Sequence, residues 1–252
     1  MQRKKRLNQM VTAIVENTSL DVRALSEKFG VSPATVRRDL ELLEQQRLVR
    51  RTHGGATTHA AFHDLPLSYK TAQDLPEKRR IAERAMGYLE QARVIGMTGG
   101  TTVSEFAALL SGSEGLTVIT NALDIAAELA TNPRLRVLSA GGEIRGSSKE
   151  AVGPSAEAFL AGYNLDMAFL GVDGVDAEAG CTNYDPVGAR VNAVLRRRAK
   201  VSAVLADATK ISRVALAPVC AMSEVDLLIT DSRADKDVVA AIRQQGCEVV
   251  CV

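Results

Sequence analysis

The chain has 252 residues, 46% of them hydrophobic and 24% charged, which suits one large or two smaller folded domains with a real core. The net charge of +1 points to no partner for the molecule as a whole. No apolar run is long enough to cross a bilayer, and the opening MQRKKRLNQM lacks the apolar core of a signal peptide, so a cytoplasmic protein with no membrane partner is expected.

The distribution of charge says more. Residues 1–59 carry 11 Lys and Arg against 6 Asp and Glu, a net +5; the remainder carries 20 against 24, a net −4. A basic front on a mildly acidic body predicts that the front meets a polyanion. The cysteines, Cys181, Cys220, Cys247 and Cys251, form no C-x-x-C and read as small core or surface residues in a reducing compartment. His53, His59 and His63 share one stretch, but no carboxylate or thiol cluster accompanies them, so neither a metal nor a cofactor is expected.

Leu7, Met10, Val11, Ile14 and Val15 recur at helical spacing, predicting a helix over 3–16. Asp21 can cap a second helix, VRALSEKFG, whose core side is Val22, Leu25 and Phe29, with Gly30 just past its end. Val31 alone then separates Gly30 from Ser32, an N-cap residue, and Pro33, a first-turn residue. The third helix runs to about Gln46 and buries Val36, Leu40 and Leu43. Two helices joined by so short a glycine turn form a helix-turn-helix, whose second helix enters the DNA major groove N-terminal end first.

Ser32, Ala34, Thr35, Arg37 and Arg38 fall at the start of that helix, away from its core face. Arginine can bond guanine bidentately, and threonine can bond a base or touch a thymine methyl. Asp39, one turn after Thr35, suits pairing with a nearby arginine. RLVRRTHGGAT (47–57) then reads as a short hairpin, a wing that carries Arg50, Arg51 and His53. His53 fits either a DNA contact or an exposed turn. The run Arg3, Lys4, Lys5 and Arg6 suits DNA backbone phosphates, which position a protein without specifying sequence.

VSPATVRRDLELLEQQRLVRRTHGGA (31–56) resembles the N-terminal signature of the DeoR family of bacterial transcriptional regulators. The resemblance implies that Arg37 and Arg38 contact double-stranded operator DNA. The mixed, polar stretch that follows, with Pro66 and Pro76, reads as a linker, so the expected domains are a winged helix-turn-helix over 1–57, a linker over 58–75 and an effector-binding domain over 76–252.

In the body, PEKRRIAERAMGYLEQ (76–91) reads as a helix. Strand candidates at 93–97, 116–120, 135–139, 166–171, 201–206, 225–230 and 247–251 alternate with helical stretches at 102–111, 122–131, 154–162, 186–199 and 235–245. Such alternation predicts an α/β domain with a mainly parallel sheet covered by helices on both faces. Ligands of such sheets sit outside the carboxyl ends of the strands.

The segments that follow those ends are polar or glycine-rich. Thr98, Gly99, Gly100, Thr101 and Thr102 open a helix, whose free N–H groups suit a phosphate, and the hydroxyls of Thr98, Thr101 and Thr102 can add donors. Asn121 can cap its helix or bond a sugar hydroxyl. Gly141 and Gly142 precede Arg145, a candidate anion partner. Asp173 and Asp176 suit hydroxyls or turns, and Asp207 and Lys210 end ADATK. Asn183 and Tyr184 lie among the residues expected to set pocket specificity.

This half is also similar to the DeoR effector domain, itself related to ribose-5-phosphate isomerase. The family's L-D-x-G-T-T falls on Met97 to Thr102, its T-N-S on Thr120 to Ala122, its paired glycines on Gly141-Gly142 and its L-A-D-S-S-K on Leu205 to Lys210. Thr98 replaces the family's aspartate, and the isomerase D-G-A-D falls on Leu170 to Asp173, where the first acid is lost. An isomerase needs a carboxylate base and a donor for the oxyanion. The resemblance therefore implies a sensor rather than an enzyme: a homo-oligomeric (dimeric or tetrameric) repressor of a carbohydrate-catabolism operon, controlled by a sugar-phosphate effector.

Overall fold

The computed structural model describes residues 3–17, 19–45, 48–57, 67–71, 73–90 and 92–252. The chain divides into two compact units, Met1–Leu65 and Pro66–Val252.

The first unit runs α1 (Arg3–Glu16), β1 (Ser19–Asp21), α2 (Val22–Phe29), α3 (Pro33–Gln45), β2 (Arg50–Arg51) and β3 (Gly55–Thr57). The Asp21 carboxylate accepts from the Ala24 amide at 2.7 Å and caps α2. Gly30 takes the left-handed conformation (φ +62°) that ends it. Met10, Val11, Ile14, Leu25, Val36, Leu40 and Leu43 form the core. The wing differs from the expected hairpin, because β1 joins it to give an antiparallel sheet of order β1-β3-β2. Gly55 pairs with Asp21, and a side chain there would collide with the Leu20 carbonyl. Three residues, Ser-Leu-Asp, are too few to show the alternation that marks a strand.

The second unit runs α4 (Leu67–Lys70), α5 (Leu75–Met86), β4 (Val94–Met97), α6 (Thr101–Leu110), β5 (Thr117–Thr120), α7 (Leu123–Leu129), β6 (Arg136–Ser139), β7 (Glu143–Arg145), β8 (Glu150–Val152), α8 (Pro154–Ala161) and β9 (Leu165–Leu170). It continues with β10 (Gly174–Asp176), β11 (Gly180–Asn183), α9 (Pro186–Arg198), β12 (Ala199–Leu205), β13 (Ala217–Cys220), β14 (Leu227–Thr230), α10 (Lys236–Gln244) and β15 (Glu248–Cys251). All seven strand regions expected from the sequence pair in one parallel sheet of order β15-β14-β12-β9-β4-β5-β6.

Alternate residues of β9 serve the two faces. Met167 and Phe169 pack with α5, α6 and α7, whereas Ala168 and Leu170 pack with α8, α9 and α10. Phe106 of α6 meets Phe169 with ring centroids 4.4 Å apart. Two antiparallel additions had no sequence signal long enough to read: the β7–β8 hairpin and the small sheet β10-β11-β13. The helix expected over 76–91 stops at Met86, where Gly87 follows. The expected linker also needs correction at its end, since residues 67–70 are helical and the Leu67 amide donates to the Ser147 carbonyl at 2.9 Å. Residues 58–66, with His59 and His63, lie outside the described set.

From β4 the chain moves outward through β5 to β6, then returns to the other side of β4 at β9. The carboxyl ends of β4 and β9 therefore flank the point where strand order reverses, the usual place for a ligand in an open α/β sheet.

Candidate functional site

Helix α3 begins with a side-chain cap. The Ser32 hydroxyl accepts from the Thr35 amide at 3.2 Å and lies 3.0 Å from the Thr35 hydroxyl. Val36, Leu40 and Leu43 are buried; Ser32, Ala34, Arg37 and Arg38 are exposed and Thr35 is half-buried. Arg37 and Arg38 thus share the open arc of the helix start. Asp39 turns the other way. Its buried carboxylate accepts from Arg6 at 2.8 Å and Arg3 at 3.3 Å, so it holds α1 to α3 rather than an arginine of its own helix. Arg3 consequently spends part of its charge within the protein, although its side chain stays 61% exposed. The side chains of Lys4 and Lys5 lie outside the described set.

Arg50, Arg51 and His53 are exposed on the wing. Glu44 of α3 accepts from the Arg51 amide at 3.0 Å and ties wing to helix. The exposed start of α3 and the basic wing thus belong to the same unit.

At the sheet rim, Gly100 adopts φ +122°, which only glycine tolerates, and places the first turn of α6 over the end of β4. No side chain caps α6. Among the described residues, the amides of Gly100, Thr101, Thr102 and Val103 have no acceptor. Gly171 crosses so close that a side chain would strike the Gly99 carbonyl.

Thr98 requires a correction. It is fully buried, and its hydroxyl accepts from the Gly171 amide at 2.8 Å, so it joins the two loops instead of offering a donor to the rim. Gly99 also departs from expectation, because its amide already donates to Glu150 at 3.0 Å. Thr102 is buried, leaving half-exposed Thr101 as the more open hydroxyl of this turn. Asn121 does not cap α7. Thr120 accepts from the Ala122 amide at 3.0 Å, while the Asn121 side chain donates to Glu150 at 3.3 Å and to the Ala151 carbonyl at 3.2 Å. The Asn121 Oδ1 is buried without a partner.

Gly142 needs its φ of +138°, whereas Gly141 stands in open space with an ordinary backbone. Arg145 reaches Asp185 at 3.7 Å, at the cap of α9. Asp176 makes a turn, accepting from the Glu178 and Ala179 amides at 2.9 Å. Asp207 caps the short turn that carries Lys210 and lies 4.0 Å from the buried Lys78.

Asp173 is the acidic centre of the rim. It accepts from the Tyr184 amide at 3.2 Å and from Lys70 at 3.1 Å, while Asn183 accepts from its own amide at 3.2 Å. Burial alone pushes its carboxyl up, but Lys70 and Lys210 outweigh this and bring it below the ordinary range. Lys210 is pushed down to about 8, first by burial and then by Lys70. Among the described residues no group bonds its ammonium.

Lys70 and Glu150 carried no sequence signal. Lys70 sits in a mixed polar segment, and Glu150 lies in a hairpin too short for a pattern. Among the described residues no group of His, Cys, Asp and Glu could hold a metal, and no helix is long and apolar enough to cross a membrane.

A winged helix-turn-helix joined to a parallel α/β unit, with donors gathered at its switch point, defines a DNA-binding regulator with a sensor domain. The description DeoR-like helix-turn-helix domain matches residues 6–61, and DeoR C terminal sensor domain matches residues 73–232. The chain belongs to the DeoR family of transcriptional regulators.

It is 33% identical to the HTH-type transcriptional regulator GlpR of Haloferax volcanii, over 99% of this chain and 96% of that protein. It is 30% identical to a putative aga operon transcriptional repressor of Escherichia coli, over 98% and 93%. It is 28% identical to the glycerol-3-phosphate regulon repressor of Escherichia coli, over 92% of each. Among solved structures, a D-ribose-5-phosphate isomerase in complex with phospho-erythronic acid is 18% identical with a TM-score of 0.40, over 53% of this chain and 52% of that one. That likeness spans about half of either chain.

Proposed function

We propose that this regulator is a cytoplasmic repressor of a carbohydrate-catabolism operon, and that a phosphorylated sugar bound at the rim of the second unit sets its affinity for operator DNA. The observation that carries the reading is the open first turn of α6, on a rim where the half-buried Lys210 shares the charge of Asp173 and Asp207 while no described group bonds its ammonium. The amides of Gly100 to Val103 and the Thr101 hydroxyl receive the phosphoryl group, with Lys210 and Lys70 supplying charge. Asp173 and the unpartnered Asn121 Oδ1 accept from sugar hydroxyls. Ala34, Thr35, Arg37 and Arg38 read bases and phosphates, and Arg3, Lys4, Lys5, Arg50, Arg51 and His53 supply backbone contacts. The names of two relatives, repressors of an aga operon and of a glycerol-3-phosphate regulon, support the repressor reading.

A ligand shifts DNA binding only by binding two states unequally, and a coupling of about 1–3 kcal/mol changes affinity roughly 5–150-fold. In a homo-oligomer, two recognition helices must match two half-sites, so a small subunit rotation spoils the fit.

Thermal shift against a panel of sugar phosphates tests the reading, because a ligand that binds the folded state raises the melting point. One or a few phosphorylated sugars are expected to stabilise the protein and to change operator affinity. A panel without any such ligand would remove the sensor assignment.

A further inference from the structure

Glu150 stands where a ligand is expected. Its Oε1 accepts from the Gly99 amide at 3.0 Å and from the Asn121 side chain at 3.3 Å. A side chain at Gly99 would lie 2.7 Å from the Glu150 carboxyl carbon, so this glycine makes room for the protein's own acid. The β7–β8 hairpin delivers that acid. The Ala151 amide donates to the Asn121 carbonyl at 2.8 Å, and the Leu123 amide to the Lys149 carbonyl at 2.9 Å, strapping the hairpin across the end of β5. Burial raises the Glu150 carboxyl above its ordinary range, more than Ser148, Gly99, Arg145 and Asn121 together lower it. The protein's own acid therefore already occupies the loop, held by the Gly99 amide and the Asn121 side chain.

We propose that Glu150 is a specificity-determining residue of this site: its carboxylate holds the Gly99 amide in the free protein, and a phosphoryl group gains that amide only by displacing it. The inference rests on the reading of the rim as an effector site. One N–H cannot serve two anions, and two negative groups in a partly dry loop repel. Inorganic phosphate brings nothing further to offset the displacement. A phosphorylated sugar also brings hydroxyl donors for the buried Asn121 Oδ1 and for Asp173. Glu150 thus acts as a filter that keeps free phosphate from triggering the sensor.

Titration calorimetry of the full chain with inorganic phosphate tests this. Glu150→Gln keeps the shape and an acceptor oxygen but removes the charge, and Glu150→Ala removes both. Each is expected to bind inorganic phosphate at least tenfold more tightly than the parent and to lose selectivity for the sugar phosphate that the thermal-shift panel identifies. Unchanged or weaker phosphate binding in both variants, with an unchanged circular dichroism spectrum, overturns the inference. Adding Thr101→Val to Glu150→Gln separates it from the broader reading. Loss of the gained phosphate binding places the anion in the loop as inferred, whereas indifference to Thr101 means that the rim is not the anion site and both readings fall.

Discussion

The ammonium of Lys70 lies 3.1 Å from the Asp173 carboxylate, joining residues 103 positions apart in the chain. Lys210 adds a second positive charge to the same carboxylate. Asp173 therefore has two roles, neutralising cations and accepting hydroxyl donors, and one substitution separates them. Asp173→Asn removes a negative charge from beside both lysines, so inorganic phosphate is expected to bind no more weakly than before. Sugar phosphates are expected to lose affinity at least about tenfold, the scale of one hydrogen bond to a charged group. Equal losses for both ligands, measured by titration calorimetry, would move Asp173 out of the sugar subsite.

Lys210 gives the site a pH dependence. With its pKa at about 8, the lysine is charged at pH 7 and mostly neutral at pH 9. Because the folded value lies below the ordinary lysine range, the fold disfavours the ammonium, and this cost is relieved as pH rises from about 8 through the unfolded value near 10.4. Anion binding runs the opposite way, since it needs the ammonium. Affinity for a phosphorylated effector is expected to fall about tenfold between pH 7 and pH 9, the change in the protonated fraction for a pKa near 8. Lys210→Arg stays charged throughout this range and is expected to flatten the profile. A parent profile as flat as that of the arginine variant would exclude Lys210 from the site.

Much of this architecture was legible in the sequence because its carriers are long or chemically distinct. The seven strands of the parallel sheet carry apolar runs, and Asp21, Gly30, Ser32 and Pro33 are placed by the rules of helix ends. What escaped are contacts between residues far apart in the chain. Nothing near Asp39 says that Arg3 and Arg6, more than thirty positions earlier, will hold it. Nothing near Gly99 says that Glu150, 51 positions later, will take its amide. Thr98 shows the converse: a hydroxyl in a ligand-binding motif reads as a donor until Gly171 arrives to occupy it.

Asp39 makes a prediction about stability rather than recognition. Its carboxylate is buried, Arg6 is 12% exposed, and the pair joins the first and third helices of the DNA-binding unit. Asp39→Ala leaves the Arg6 guanidinium without its carboxylate. Breaking a fully buried pair costs about 3–5 kcal/mol; partial exposure of the arginines reduces this to roughly 2 kcal/mol. Hydrogen exchange of the full chain is expected to show faster opening of α1 and α3 with unchanged protection in the seven-stranded sheet. Unaltered exchange in α1 would mean that the two ion pairs contribute nothing net.

The exposed arginines divide by the kind of DNA contact that their positions allow. Arg38 is exposed one turn into α3, and Arg50 and Arg51 are exposed on the wing; in the proposed reading the first reaches base edges and the other two meet phosphates. A base contact carries specificity and a phosphate contact carries salt dependence. Arg38→Ala is expected to cost about 1–3 kcal/mol on operator DNA and far less on unrelated duplex. Arg51→Ala is expected to weaken both duplexes alike and to reduce the slope of log affinity against log salt by about one. Fluorescence anisotropy over a salt series, with operator and scrambled DNA, reads both quantities at once. Neither variant is expected to alter effector binding, since neither residue lies in the sensor unit. If Arg38→Ala lowers affinity equally on both duplexes, the helix start grips the backbone, and sequence must be read elsewhere on α3 or by the wing.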